Sequence, residues 1–271
     1  EYFVMNKLLS ALGALLISSS VFAGNQAREI MEKVDARDDG TSLISTMKMT
    51  LIDKNGKKRN RQMRTFAKDI DANTEHKTIF FLSPSDVKNT AFLTYDYSAD
   101  DKDDDQWMYL PALKKTKRIP ASDKDSAFMG SDFSYADMTD KELNDYTFKL
   151  VKETTIKRKE GKVPVWKIES TPISQAVIDE TGYIKSTLYI RKDNHVLTRA
   201  KFYLKKGSRV KYMDVRKLEK IDGIWVAMQT TMTTKQGKKT LHKTILTNSD
   251  VEINKAIDDD MFTVRVIEKG L

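Results

Sequence analysis

Residues 107–138 read WMYLPALKKTKRIPASDKDSAFMGSDFSYADM, and here the rhythm of the chain breaks. The stretch opens with a strand pair, Trp107–Leu110 and Lys114–Ile119, around Pro111. After Pro120 it follows neither the two-residue period of a strand nor the 3.6-residue period of a helix. It nevertheless keeps Phe128, Met129, Phe133 and Tyr135. A long irregular segment inside a compact domain is uncommon and is usually a lid, a binding loop or disorder. Disordered segments are poor in aromatics. Residues 121–138 are therefore expected to form a flap docked on an apolar surface, with the four side chains largely buried when it is closed.

Around this break the chain alternates. Met47, Met49 and Leu51 alternate with Lys48 and Thr50, and Asn55-Gly56 signals a hairpin turn. The return strand sets Arg59, Arg61, Met63, Thr65 and Ala67 on one face. Further strands are expected near 77–82 and 91–97, and then from 146 to 251 between turn signals such as Glu160-Gly161, Asp193-Asn194, Asp222-Gly223 and Gln236-Gly237. These spacings describe an antiparallel meander. Some eleven or twelve consecutive strands tend to curl or close, because open edges invite aggregation. Ala27, Ile30, Met31 and Val34 mark one helix over 25–37. A second short helix is expected over 137–143, capped by Asp137 or Thr139. No linker or composition shift divides residues 24–271, which read as a single domain.

The beginning of the sequence speaks to location. Lys7, the apolar run Leu8–Ile17 and the small residues of Val21-Phe22-Ala23 read as a secretory signal peptide cut before Gly24. Glu1–Val4 precede Met5 and are left out of the fold reading. The run is far shorter than the roughly 20 apolar residues that span a bilayer. The expected location is the periplasm, with a soluble body after cleavage. The chain has no cysteine, so stability must come from a packed core. It carries 47 basic and 39 acidic residues, a net charge of +8. A basic surface favours anionic partners such as membrane headgroups, and export argues against nucleic acid.

Catalytic signatures are missing from the sequence. His76, His195 and His242 lack metal-ligand or catalytic spacing. No nucleophile elbow, Walker loop or dinucleotide fingerprint occurs. Asp101, Asp103 and Asp105 match the start of a calcium loop, but Gln106 stands where glycine is required and Ala112 where the closing glutamate belongs. The chain is therefore expected to be no enzyme and to use no cofactor or metal. An enzyme would need clustered, pKa-perturbed carboxylates in a cavity.

The positive signals are apolar. Of 12 methionines, Met47, Met49 and Met63 fall at inward positions of neighbouring strands. Methionine adapts to irregular apolar surfaces. Arg59 and Arg61 share the face of Met63, and buried unpaired charge is costly, so they would line a mouth or meet a polar partner. The composite is a container for greasy ligands. Each methylene withdrawn from water is worth roughly 0.8 kcal/mol, so a chain of about 16 carbons approaches ~10 kcal/mol as an upper bound.

Three segments carry a family resemblance: Trp107–Leu113 with the basic Lys114–Arg118, then Phe128–Met138, then the ending Asp258–Thr263. They resemble the outer-membrane lipoprotein-sorting proteins, the LolA-like periplasmic carriers, and most closely their larger branch. The resemblance implies a half-open antiparallel β-barrel of about 11 strands, covered by a few helices and an irregular flap. It implies a carrier that binds acyl chains of lipoprotein or lipid and shuttles them toward the outer membrane. It also implies an inner-membrane transporter of the resistance-nodulation-division type as partner, and the chain is expected to be a monomer with transient membrane-surface contact. A non-transporting lipoprotein or lipid sensor, or an envelope-assembly accessory of the same fold, is the alternative. The residues expected against acyl chains are Met47, Met49, Leu51, Met63, Phe81, Phe92, Trp107, Tyr109, Phe128, Met129, Phe133 and Tyr135. Arg59 and Arg61 are expected to meet a headgroup or latch a lid.

Overall fold

The computed structural model describes residues 25–98 and 102–271. The signal-peptide reading of Met5–Ala23 falls outside the described residues, as do Asp100 and Asp101 of the acidic run. Residues 25–35 form helix α1. Six strands follow: β1 Ser42–Asp53, β2 Lys58–Asp71, β3 Thr74–Ser83, β4 Ala91–Tyr97, β5 Asp105–Leu110 and β6 Lys115–Arg118. Beyond the irregular segment come β7 Tyr146–Arg158, β8 Gly161–Pro172, helix α2 Gln175–Thr181, β9 Tyr183–Arg191 and β10 Leu197–Leu204. β11 Arg209–Ile221, β12 Ile224–Gln236, β13 Lys239–Ile253 and helix α3 Val264–Lys269 complete the fold. No helix among the described residues is long and apolar enough to cross a membrane.

All the strands join one sheet in the order β6-β5-β4-β3-β2-β1-β13-β12-β11-β10-β9-β8-β7. Each half is an antiparallel meander, and the β1–β13 pairing is the seam between them. The outer strands β6 and β7 do not pair with each other, so the sheet is not closed. The fold is mainly β, as expected, with 13 strands among the described residues rather than about eleven. The short β6, KTKR, is the second limb of the strand pair expected around Pro111, and register ties it to β5.

Local chemistry explains the turns. Between β1 and β2, Asp53 Oδ1 accepts from the Asn55 and Lys57 amides at 2.8 and 3.0 Å, while Gly56 takes φ +82°, open to glycine without strain. The helix expected over 137–143 is instead two 3-10 turns, Tyr135–Met138 and Leu143–Asp145. The Ser134 amide donates to Asp137 Oδ2 at 2.8 Å, and Thr139 turns extended, so the first turn ends early. Helix α2 was not expected. Ser174 caps it by accepting from the Val177 amide, and Gly182 ends it at φ +76°. A Cβ on Gly182 would also lie 3.1 Å from Asp125 Cβ.

Register sorts the two faces. One face of the first half carries Met49, Leu51, Met63, Ile79, Phe81, Phe92 and Met108, all buried beneath the flap. On the same face of the second half, α1 lays Ala27, Ile30 and Met31 against Ile168, Ile190, Ala200 and Met232. Burying Ile30 and Met31 stabilises that docking by about 3–6 kcal/mol as an upper bound. The opposite face of β3–β5 is covered by the C-terminal segment, where Ile257, Phe262 and Ile267 pack on Phe80, Ala91 and Leu93. Asp258 and Thr263 cap the two turns of that segment.

Candidate ligand-binding cavity

A cavity of about 1020 Å³ lies between the flap, α1 and the inner faces of β1, β2, β3 and β13. Its chemistry changes along the strands. Nearest the flap tip it is lined by Met47, Met49, Met63, Phe128 and Leu246. A middle tier carries Ser45, Thr65, Ile79 and Asn248. Toward the mouth come Asp39, Asp69, Glu75, Lys77, Asp140 and Lys141.

The flap is held by its own backbone and by polar clamps. Phe128 N–H donates to the Phe133 carbonyl at 2.8 Å, and Ala136 N–H to the Lys124 carbonyl at 2.8 Å. Asp132 is buried; its Oδ2 accepts from Thr244 Oγ1 at 2.7 Å and lies 2.7 Å from His242 Nδ1. Asp137 accepts from the Tyr183 hydroxyl at 2.8 Å. Lys124 is buried and pairs with Glu180 at 2.6 Å. All these partners come from the second half of the sheet or from α2. On the first half, Gln106 Nε2 donates to the Tyr135 carbonyl at 3.0 Å, and Arg61 Nη1 donates to the Met129 carbonyl. Burial, and then the neighbouring Arg59, hold the Arg61 pKa below the usual arginine value. The tip itself, Met129-Gly130, is left-handed at both residues, φ +49° and +70°. For methionine that conformation is strained.

The expected residues distribute as follows. Met47, Met49, Met63, Phe128 and Phe133 line the cavity. Leu51, Phe81 and Phe92 are buried in the packed core beneath the flap tip, with Met129 and Tyr135 half-buried beside them. Phe128 plugs that core, its ring centroid 5.1 Å from Phe92, 5.6 Å from Tyr135 and 6.2 Å from Phe81. Phe133 is buried with the α1 cluster. Arg61 reaches the flap, whereas Arg59 is exposed at the strand end. Trp107 and Tyr109 require correction. The register Phe92↔Met108 and Thr94↔Gln106 turns Gln106 and Met108 inward, so Trp107 and Tyr109 face outward under the C-terminal segment. There Trp107 meets Tyr95 edge-on at 4.9 Å, and the Tyr95 hydroxyl donates to the Phe262 carbonyl at 2.6 Å.

The mouth holds a group that pattern reading missed. Carboxylate oxygens of Glu75, Asp96 and Asp140 lie within 4.8 Å of one another. Lys77 Nζ sits 2.9 Å from Glu75, and Asp96 accepts from the Asp140 amide at 2.8 Å. Burial, and then Asp140, push Asp96 up to about 7. Burial opposes the charge on Lys77, but Glu75 and Asp140 outweigh it and raise its pKa. The inward parity of Glu75 and Lys77 with Ile79 and Phe81 was available as a signal; the arrival of Asp140 from a distant loop was not.

A family model described as that of an uncharacterized protein matches residues 73–269. A DUF1329 family protein from Desulfovibrio piger superposes with a TM-score of 0.80 at 27% identity, covering 90% of this chain and 98% of that one. A domain from Vibrio parahaemolyticus, named for outer membrane lipoprotein sorting, gives 0.79 at 29% identity, covering 90% and 99%. This chain belongs to the family of that model, and its structure matches those of LolA-like, lipoprotein-sorting proteins. A LolA superfamily protein from Nitrosomonas europaea shares the LolA-like fold at TM-score 0.64 and 17% identity, covering 88% and 98%. No curated protein matches the sequence.

Proposed function

We propose that this LolA-like chain is a periplasmic carrier that shelters acyl chains of lipoprotein or lipid and shuttles them toward the outer membrane. One observation carries the reading: the apolar inner half of a cavity of about 1020 Å³ lies beneath a flap whose tip accepts a hydrogen bond from Arg61. A cavity of this size sits at the upper end of the ~300–1,000 Å³ typical of small-ligand sites. An acyl chain would enter between Met47, Met49 and Met63 and displace Phe128 to reach Leu51, Phe81 and Phe92. The polar clamps at Asp132 and Asp137 would hold the flap's base while its tip, residues 128–130, lifts. A monomer in transient contact with the membrane surface, loaded by an inner-membrane transporter of the resistance-nodulation-division type, completes the proposal.

Native mass spectrometry of protein purified from periplasm, followed by delipidation and titration with palmitate, tests it. Co-purifying lipid and saturable uptake are expected. Absence of both refutes the carrier reading.

One observation favours a second reading, chemistry on a headgroup at the mouth: the Glu75–Asp96–Asp140 cluster with its raised Asp96. Incubating the protein with an acyl ester and weighing the ligand afterwards separates the two. An unchanged mass removes the second reading.

A further inference from the structure

The middle tier of the cavity holds three polar atoms that lack a partner. Ser45 Oγ, Thr65 Oγ1 and Asn248 Oδ1 are buried and have no hydrogen-bond partner among the described residues. Ser45 and Thr65 are fully or nearly fully buried, at 1% and 4% exposure. All three residues line the cavity. A buried polar atom left unpaired costs free energy, and native interiors hold few of them. Four further such atoms lie elsewhere among the described residues and away from this cavity, but these three share one tier of it, and that placement points to a polar group that belongs there.

Register places them together. Ser45 on β1 is directly opposite Thr65 on β2. On the other side of β1, Asn248 of β13 is opposite Met47, the next inward residue after Ser45. Asn248 spends its amide N–H on the Ala227 carbonyl at 3.1 Å, which leaves its oxygen as an acceptor. The tier thus offers two hydroxyl donors beside one acceptor. Apolar residues lie on the flap side of the tier and charged residues on the mouth side.

We propose that Ser45, Thr65 and Asn248 form a subsite for the amide that joins an acyl chain to its headgroup. The proposal rests on the carrier reading and adds the ligand's linkage and direction to it. The hydroxyls donate to the amide carbonyl, and Asn248 Oδ1 accepts its N–H. The tail then points toward the flap and the headgroup toward the mouth. Length agrees: from Ser45 to Leu51 six steps at ~3.3 Å span about 20 Å. Half of a ~30 Å hydrocarbon core, the depth one tail fills in a bilayer, is about 15 Å.

The test uses three probes with the same C16 tail and headgroup, joined by an amide, an oxo-ester or an ether. Binding is measured by calorimetry to the full chain and to Thr65→Val, Ser45→Ala and Asn248→Leu. Thr65→Val and Ser45→Ala are each expected to weaken the amide and ester probes about fivefold and to leave the ether unchanged. Asn248→Leu should weaken the amide alone. The ligand-free Thr65→Val protein should melt no lower than the parent, since an unpaired hydroxyl is replaced by a methyl of the same shape. Thr65→Ser should restore amide and ester affinity.

Equal weakening of all three probes, or a lowered melting temperature in ligand-free Thr65→Val, would assign these groups to structure and overturn the proposal. Unchanged affinity for every probe would mean that only water meets them, and would overturn it too. In both cases the carrier reading survives. If the parent protein binds none of the probes, the subsite and the carrier reading fall together.

Discussion

Phe128→Ala is the most informative perturbation, because stability and binding should move in opposite directions. The Phe128 ring is 1% exposed and wedged among Phe81, Phe92 and Tyr135. Truncating a fixed core phenylalanine costs about 3–5 kcal/mol. For a domain of this size each kcal/mol lowers Tm by roughly 2–4 °C, so ligand-free protein should melt about 6–20 °C earlier. The ring also occupies the space an acyl chain would need beside Leu51 and Phe92. A ligand entering the parent protein must expel it and forfeit part of its packing. In the variant that cost is already absent. If about half of it is forfeited, roughly 2 kcal/mol, palmitate should bind on the order of tenfold tighter or more. Differential scanning fluorimetry with and without palmitate, joined to a calorimetric titration, reads both quantities. Loss of stability with an equal loss of affinity would show that Phe128 is a binding wall and not a displaceable plug. No change in Tm would refute its role as a core residue.

Other expectations follow from the same geometry. Arg61→Ala removes the hydrogen bond to the Met129 carbonyl, so amide exchange at residues 128–131 should quicken while exchange at 132–138, held by Asp132 and Asp137, stays slow; equal quickening throughout would refute a separately mobile tip. Asp96 has a folded pKa raised to about 7 from 3.8, so its proton stabilises the fold at low pH and that contribution is lost as pH climbs from about 4 through 7. Asp96→Asn, which keeps an acceptor for the Asp140 amide, should raise stability at pH 8 by at least about 1 kcal/mol and change little at pH 4; urea melts at the two pH values decide it. Trp107→Phe should leave palmitate affinity unaltered, because the indole lies under the C-terminal segment; a weakened titration would return Trp107 to the ligand side.

Much of this was legible in alternation. The parity of Met47, Met49, Met63 and Arg61 placed them correctly because antiparallel pairing keeps directly opposed residues on one face. The aromatics of residues 121–138 announced docking because they sit in a segment with no period to bury them otherwise. Trp107 and Tyr109 went wrong for the complementary reason. Both faces of β5 are covered, one by the flap and one by the segment around Phe262, so an aromatic at either parity looks like core. The clamps on Asp132 and Asp137 and the convergence of Asp140 on Glu75 join residues far apart in sequence, and no local pattern records them. The unpaired Ser45 and Thr65 were invisible for another reason: in a strand sequence, a hydroxyl at an inward position looks the same whether it is satisfied or not.

The unequal lengths of the two outermost strands have their own consequence. β6 offers four residues and β7 thirteen, so pairing with β6 could satisfy only a short stretch of the backbone of β7. Both rims are also studded with lysines: Lys115 and Lys117 on one, Lys149, Lys152 and Lys157 on the other. Such residues discourage pairing with a neighbouring molecule. A sheet left open at both rims is thereby kept from mating with strangers.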